Sequence, residues 1–473
     1  MKTVASLTDD FLQGRRSPAQ HLERVLDAVR SAASRTPAHA AFRLLDEVRA
    51  REAARASSER YANGTPLGPL DGVPIGVKDE VDMEGLPTLS GTTWMPRLPC
   101  AKDATVVARL RAAGAVLVGK TAQHELGLGA TGISPHETRT PRNPHDPAHA
   151  PGGSSSGSAV AVALGLVPLA VGTDAGGSIR IPASLCGVWG LKPTYGRIPI
   201  TGDTNLGGTV GHVGPIGRCV DDLAFFLQAT AGPDGADSFA SGALPFEHAR
   251  LDALFSRGAR GLRVGVDERE WADATDVVRE RCRDALRALE RDGAKVVSVS
   301  VPMARHAQAL GYLTMIGEAG ALHGGDWERH RHAMAWDVRL ALALGRRFRA
   351  SEFVHAQVLR QRLRRELAAT LAEVDLWATP TTAITAPRVR ASAEATGESD
   401  QPVTNALVRY TFIGNLTGLP AGTAPVATDS AALPIGLQLI GRAWDELTVL
   451  RGLHALERAV ARTPPTPKVG YEV

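Results

Sequence analysis

Two serines on glycine-rich turns and one lysine at the end of an apolar run are the residues best suited to do chemistry in this sequence. The turns are Gly152-Gly153-Ser154-Ser155-Ser156-Gly157 and Gly176-Gly177-Ser178, and the lysine follows Gly72-Val73-Pro74-Ile75-Gly76-Val77 at position 78. A hydroxyl becomes a nucleophile when a neighbouring base takes its proton, and Lys78 suits that task where burial disfavours its charged form. Consecutive glycines let the chain turn sharply enough for several N–H groups to converge on one point. The amides of Ala175, Gly176, Gly177 and Ser178 are therefore a candidate oxyanion hole, in which one donor is typically worth about 3 kcal/mol of transition-state stabilisation. Hydroxyls, lysine and oxyanion turn together are the parts of a serine hydrolase with lysine in place of histidine.

Each part has an ordinary alternative. A Gly-Gly-Ser turn also caps helices, Gly152 to Gly157 also reads as a Gly/Ser loop, and Lys78 also suits an ion pair, for instance with Asp79. Gly153-Ser154-Ser155-Ser156-Gly157 spells the G-x-S-x-G nucleophile elbow, which requires a strand just before it. The preceding segment, Asn143 to Pro151, carries Pro144, Pro147 and Pro151 and is no core strand, so that reading is rejected. His323, His330 and His332, near Asp326 and Glu328, match no zinc spacing, and His124-Glu125 lacks the second histidine of HExxH. Neither a metal nor a cofactor is expected.

The elements that must position these residues follow from pattern. Ser17, Pro18 and Gln20 open a helix with a capping box, and Leu22, Val25, Leu26 and Val29 share one face of it. A second amphipathic stretch over 41–61 ends at Asn63-Gly64. Strands are expected over 71–77, 115–118, 169–172, 187–191, 262–266, 295–301, 374–379, 421–427 and 434–440. Helices are expected over 103–113 and 276–291, and after Asp445. Residues 159–164 are apolar on every side, so the helix opening after the first serine turn should be buried. Residues 391–403 are the most loop-like segment. The alternation predicts a single large α/β domain over 1–473, its central sheet twisted, mixed or mostly parallel, and covered by helices on both faces. Residues 1–62 form an N-terminal helical layer on it.

Composition fits that picture. Of 473 residues, 44% are hydrophobic and 22% charged, enough for a sizeable core. A net charge of +3 argues against a nucleic-acid surface. The arginine-rich run from Arg360 to Glu366 reads as a solvated helix face. Cys100, Cys186, Cys219 and Cys282 lack CxxC spacing and read as reduced core residues. The first ten residues are too polar for a signal peptide, and the longest apolar run, Ala159 to Val171, contains Gly165 and Pro168. A cytoplasmic protein with no membrane span is the expectation.

The order GVPIGVKD from Gly72, GGSSSGSAVAVA from Gly152 and GTDAGGSIRIPA from Gly172 resembles the amidase signature family, and within it plant-type fatty acid amide hydrolases. Further matching stretches are HELGLGATG from His124, RNPHDP from Arg142, IPASLCGVWGLKPTYGR from Ile181 and GGTVGHVGPIGR from Gly207. SEFVHAQVLRQRLR from Ser351, WATPTTAITAP from Trp377 and LPIGLQLIGRAW from Leu433 extend the likeness over nearly the whole chain. The resemblance implies the amidase signature fold and a Ser-cisSer-Lys triad: Ser178 as nucleophile, Ser154 on a cis peptide bond as bridge, and Lys78 as base. It implies that Asp174 and Arg180 brace the oxyanion turn and that Ser155 is a polar neighbour of the lysine. No cofactor is implied, the substrate is a small-molecule amide such as an N-acylethanolamine, and a homodimer is compatible with it. The chain lacks the longer N-terminal extension of the plant proteins, part of which serves their substrate channel and dimer contacts. Chemistry is therefore better specified than acyl preference. Leu313, Met315, Ile316, Trp327, Met334 and Trp336 are candidate channel residues, with core packing as their other reading. An aryl or small-molecule amidase and an amidotransferase subunit supplying ammonia to an acylated tRNA stay open.

Overall fold

In the computed structural model, eleven strands join into one sheet. The structure describes all residues except 1, 36–38, 137–139, 205–207, 245, 461–466, 468, 469 and 472, so Met1 and Gly207 of the segments quoted above lie outside the described residues. The strands are β1 (Phe42–Leu45), β2 (Pro74–Lys78), β3 (Val116–Thr121), β4 (Leu169–Thr173), β5 (Trp189–Lys192), β6 (Val213–Gly217), β7 (Arg263–Val266), β8 (Lys295–Ser298), β9 (Leu376–Pro380), β10 (Ala421–Thr428) and β11 (Pro434–Ile440). Their order across the sheet is β1-β3-β2-β4-β6-β5-β10-β11-β9-β7-β8. Pairing is parallel within β3–β2–β4 and within β9–β7–β8, and antiparallel through the centre between them and at β1.

Side-chain alternation assigns each strand to two layers of core. On β4, Val171 joins a cluster with Leu110, Leu223, Leu286 and Leu453, from the helices Thr105–Ala112, Val220–Thr230, Asp276–Arg291 and Glu446–Val460. Its neighbour Ala170 joins the opposite cluster with Leu22, Val25, Ala54 and Val160, from the helices Pro18–Ser34, Glu47–Ala62 and Ser156–Ala163. Both faces of the sheet are thus covered. The helix Pro18–Ser34 has the capping box expected from Ser17 and Gln20, and the helix Ser156–Ala163 is buried along its whole length. None of the described helices is long and apolar enough to cross a membrane.

Several expectations are corrected. The stretch 41–61 is not one helix, because Phe42–Leu45 pairs antiparallel with β3 at the sheet edge and the helix begins only at Glu47. Edge pairing overrides the helical periodicity there. A further strand, β6, lies between β4 and β5, and its Val-Gly-Pro-Ile-Gly composition hides it from pattern reading. Residues Val4–Leu12 form a helix ahead of the one foreseen. The loop-like segment contains the helix Ala391–Thr396 and the start of another, Gln401–Val408, which Asp400 caps. The arginine run is only partly solvated: Arg360 is buried and donates to the carbonyls of Leu416 and Thr209.

Candidate active site

Because β2 and β4 are adjacent and parallel, their carboxyl ends reach the same edge of the sheet, where ligands of open α/β sheets bind. Lys78 ends β2 and Thr173 ends β4. Lys78 is fully buried. Its Nζ lies 2.7 Å from Ser154 Oγ, 2.7 Å from Thr173 Oγ1 and 3.1 Å from Glu80 Oε1. The carboxylate beside the lysine is therefore Glu80, not Asp79. Asp79 turns away to Arg43, 3.1 Å distant, and to the Gly91 amide.

The first serine turn lies just ahead of the buried helix Ser156–Ala163. Its backbone is docked on the segment before it: Gly152 and Gly153 donate to the carbonyls of Thr131 and Ala130 at 3.0 and 2.8 Å, and His124 N–H donates to Ser154 O at 3.1 Å. The Gly153–Ser154 peptide is cis. The helix starts against another stretch of backbone, since a Cβ at Gly157 would stand 2.3 Å from Ala41 O and 2.4 Å from Ala122 N. Only glycine fits there. Ser155 Oγ donates to Thr173 O at 3.2 Å and accepts the Thr173 N–H. Its hydroxyl thus ties the turn to the end of β4, and the hydroxyl neighbours of the lysine amine are Ser154 and Thr173.

The second turn is organised by Asp174. This carboxylate is fully buried, so each of its oxygens must find donors. Oδ1 accepts from Gly177 N–H at 2.7 Å, Arg180 Nη2 at 2.9 Å and Asn415 Nδ2 at 2.8 Å, while Oδ2 accepts from Ile179 N–H at 3.1 Å and Arg180 Nε at 3.0 Å. Arg180 spends its remaining N–H groups on Thr411 O, Gln438 Oε1 and Asn415 Oδ1. Burial pushes the Asp174 carboxyl up, but the charge and hydrogen bonds of Arg180, with Asn415, hold it well below the usual carboxylate range. The stability it confers is present across neutral pH and is lost only as the pH falls through that depressed value. The oxyanion expectation is narrowed in one respect, since the Gly177 amide is committed to Asp174. The amides of Ala175, Gly176 and Ser178 donate to no described protein atom. Gly177 has φ +126°, and a Cβ there would meet Thr411 Oγ1 at 2.4 Å. Asp174→Ala leaves Arg180 buried without its counter-charge, and the expected loss is about 3–5 kcal/mol in chemical denaturation; a loss below about 1 kcal/mol would show that the pair does not hold the turn.

The two turns meet at a cavity of about 40 Å³, whose lining includes Gly129, Gly153, Gly176, Ser178, Ile181, Tyr312 and Phe412. Ser178 is 8% exposed, whereas Ser154 and Ser155 are both at 0%. Of the three, Ser178 is the one that faces this space. Leu128, Gly129, Tyr312, Met315 and Thr404 also wall a second, outer groove of about 140 Å³, so the two spaces are contiguous. Among the channel candidates, Met315, Ile316 and Trp336 line the groove. Met334 is buried in a separate cluster on which half-buried Trp327 packs, and half-buried Leu313 packs on another part of the core, so these three are not among the groove's lining residues. The histidines are dispersed: His323 pairs with Asp326 at 3.2 Å and His330 stacks on Trp94 with ring centroids 4.9 Å apart. A larger open cleft, with Asp267, Glu268, Glu366 and Glu373 in its wall, shares no lining residue with either space.

Three features were not legible as site residues in the sequence. Glu80 and Thr173 reach Lys78 only because β2 and β4 are neighbours, and Asn415 reaches Asp174 from 241 positions away. For Glu80 alone a signal existed, its spacing of two from the lysine.

The chain belongs to the amidase signature family: the family model described as Amidase matches residues 23–450. It is 38% identical over 436 residues to a fatty acid amide hydrolase of Medicago truncatula, covering 90% of this chain and 71% of that protein. It is also 36% identical over 452 residues to a glutamyl-tRNA(Gln) amidotransferase subunit of Chloroflexus aurantiacus, covering 89% and 90% of the two chains. Among solved structures, the peptide amidase of Stenotrophomonas maltophilia superposes with a TM-score of 0.82 at 27% identity, covering 99% of each chain. The protein is an amide-hydrolysing enzyme.

Proposed function

We propose that the chain hydrolyses linear amides with a lipophilic acyl part through an acyl-serine intermediate, with Ser178 as nucleophile, Ser154 as proton bridge and Lys78 as base. The observation that carries this reading is the 2.7 Å contact of a fully buried lysine amine with Ser154, on a turn that shares a cavity with Ser178. Lys78 takes the Ser154 proton as Ser154 takes that of Ser178, and Ser178 Oγ bonds to the carbonyl carbon. The carbonyl oxygen becomes an oxyanion held by the amides of Ala175, Gly176 and Ser178. The proton returns through Ser154 to the nitrogen as the C–N bond breaks and the amine leaves. Water then attacks the acyl ester with the same relay as base, which releases the carboxylic acid and restores Ser178.

The outer groove supports the lipophilic acyl part. Trp336, Leu340 and Leu344 lie four residues apart on the helix Trp336–Gly345, are 48%, 49% and 47% exposed, and all line the groove. A chain that covers such side chains gains roughly 25 cal/mol for each Å² of apolar surface removed from water. Leu340→Asp is expected to raise KM about tenfold for long-chain N-acylethanolamines while leaving that for a two-carbon acyl amide within about twofold, or 0.4 kcal/mol. Equal effects on both substrates in initial-rate assays would contradict the groove assignment.

The Chloroflexus aurantiacus relative, matched over about nine-tenths of both chains, favours a second reading, in which the chain works as one component of an amidotransferase. The purified chain separates the two. A free-standing hydrolase turns over a graded panel of N-acyl amides alone. An amidotransferase component stays inactive on them and releases ammonia productively only with its partner and an acylated tRNA.

A further inference from the structure

We propose that Glu80 is a positioning residue for Lys78: it fixes which way the amine presents its lone pair and stabilises the positive charge that the amine gains on taking a proton. The inference rests on the reading of Lys78 as base. The Glu80 carboxylate is fully buried with Oε1 3.1 Å from Lys78 Nζ. Thr173 Oγ1 donates its hydrogen to the same Oε1, so it presents only lone pairs to Lys78 Nζ, 2.7 Å away. Gln123 clamps the far side, its Nε2 donating to Glu80 Oε2 at 3.0 Å and its Oε1 accepting the Glu80 backbone N–H at 2.9 Å.

A neutral amine has two hydrogens and one lone pair. Thr173 Oγ1 and Glu80 Oε1 are both acceptors toward Lys78, and they take the two hydrogens. The lone pair is left on the third neighbour, Ser154 Oγ at 2.7 Å, which is the direction from which a proton must come. Once the proton has moved, the new ammonium lies against the Glu80 carboxylate. The aspartate of a Ser-His-Asp triad serves its imidazolium in the same way.

Other charged groups around the amine are committed elsewhere. Asp79, on the same turn, faces Arg43 and the Gly91 amide. Lys120 on β3 donates to Val81 O and Thr88 Oγ1. Asp174, just beyond β4, is filled by Arg180, Asn415 and backbone amides. The helix Ser156–Ala163 carries no titratable side chain.

The test is kcat and KM against pH for wild type, Glu80→Gln and Thr173→Val. Glu80→Gln is expected to lower the plateau kcat about 10²-fold with KM within about twofold. It also moves the acid limb of the profile to lower pH, since the adjacent carboxylate that favours the charged form of the amine is gone. A merely structural role lowers the whole profile and leaves the limb in place, and that result would overturn the proposal, as would a profile superimposable on wild type. Thr173→Val keeps the shape and the charge balance. It is expected to lower kcat about tenfold with the limb unmoved, and it carries the test if Glu80→Gln does not fold; an unchanged kcat then overturns it. Fluorophosphonate labelling of wild-type Ser178 separates the levels. Labelling with no limb shift sinks only the Glu80 inference, whereas turnover by Ser178→Ala sinks the reading beneath it.

Discussion

Ser178→Ala abolishes turnover, with an expected fall in kcat of at least about 10⁴-fold, KM within about threefold, and an unchanged melting temperature. The side chain loses one atom, from a residue 8% exposed at the edge of the cavity, so no core is disturbed. The amides of Ala175 and Gly176 stay in place and retain their share of oxyanion stabilisation, yet no bond to the carbonyl carbon can form. Steady-state rates on a preferred acyl amide, beside a thermal melt of the same preparation, check the expectation. A variant that melts normally and keeps more than about a tenth of wild-type kcat would remove Ser178 from the chemistry.

Lys78→Ala has two expected consequences of different origin. Turnover falls about 10³- to 10⁴-fold, because the relay from Ser178 through Ser154 ends without an acceptor. Hydroxide can partly replace the missing base, so the residual rate climbs with pH. Stability falls as well, by about 1–3 kcal/mol, because the buried Glu80 carboxylate loses the amine that donates to it. The double variant Lys78→Ala/Glu80→Gln recovers most of that stability and none of the activity. Denaturant melts and pH-rate profiles of the single and double variants measure the two effects separately. Stability loss without recovery in the double variant would show that the lysine supports the fold by packing and not through its hydrogen bond to Glu80.

What the sequence made legible divides along physical lines. Glycine–serine turns and an apolar strand ending in lysine are local features, and they located Ser154, Ser178 and Lys78 before any fold was in view. The buried helix after Ser154 was equally local, since a run of Ala159 to Ala163 with no polar face has to be enclosed. Partners set by strand neighbours were not local. Thr173 meets Lys78 because β2 pairs parallel with β4, Ser155 binds the Thr173 backbone instead of the lysine amine, and Gly177 gives its amide to Asp174. Likewise β1 carries helical periodicity and becomes a strand only because β3 offers it an edge, while β6 is concealed by its glycines and proline. The groove shows the same limit, since Met315 and Ile316 line it while Leu313, two positions before Met315, packs on the core.

Mapping a covalent adduct distinguishes the two serine turns, the second carrying the nucleophile and the first the proton bridge. The wild-type chain is treated with a fluorophosphonate, digested, and sequenced by mass spectrometry across the peptides that hold Ser154, Ser155 and Ser178. A single adduct is expected, on Ser178, which disappears in Ser178→Ala and forms more slowly in Lys78→Ala. An adduct on Ser154 or Ser155, or labelling of Ser178→Ala at the wild-type rate, would contradict it.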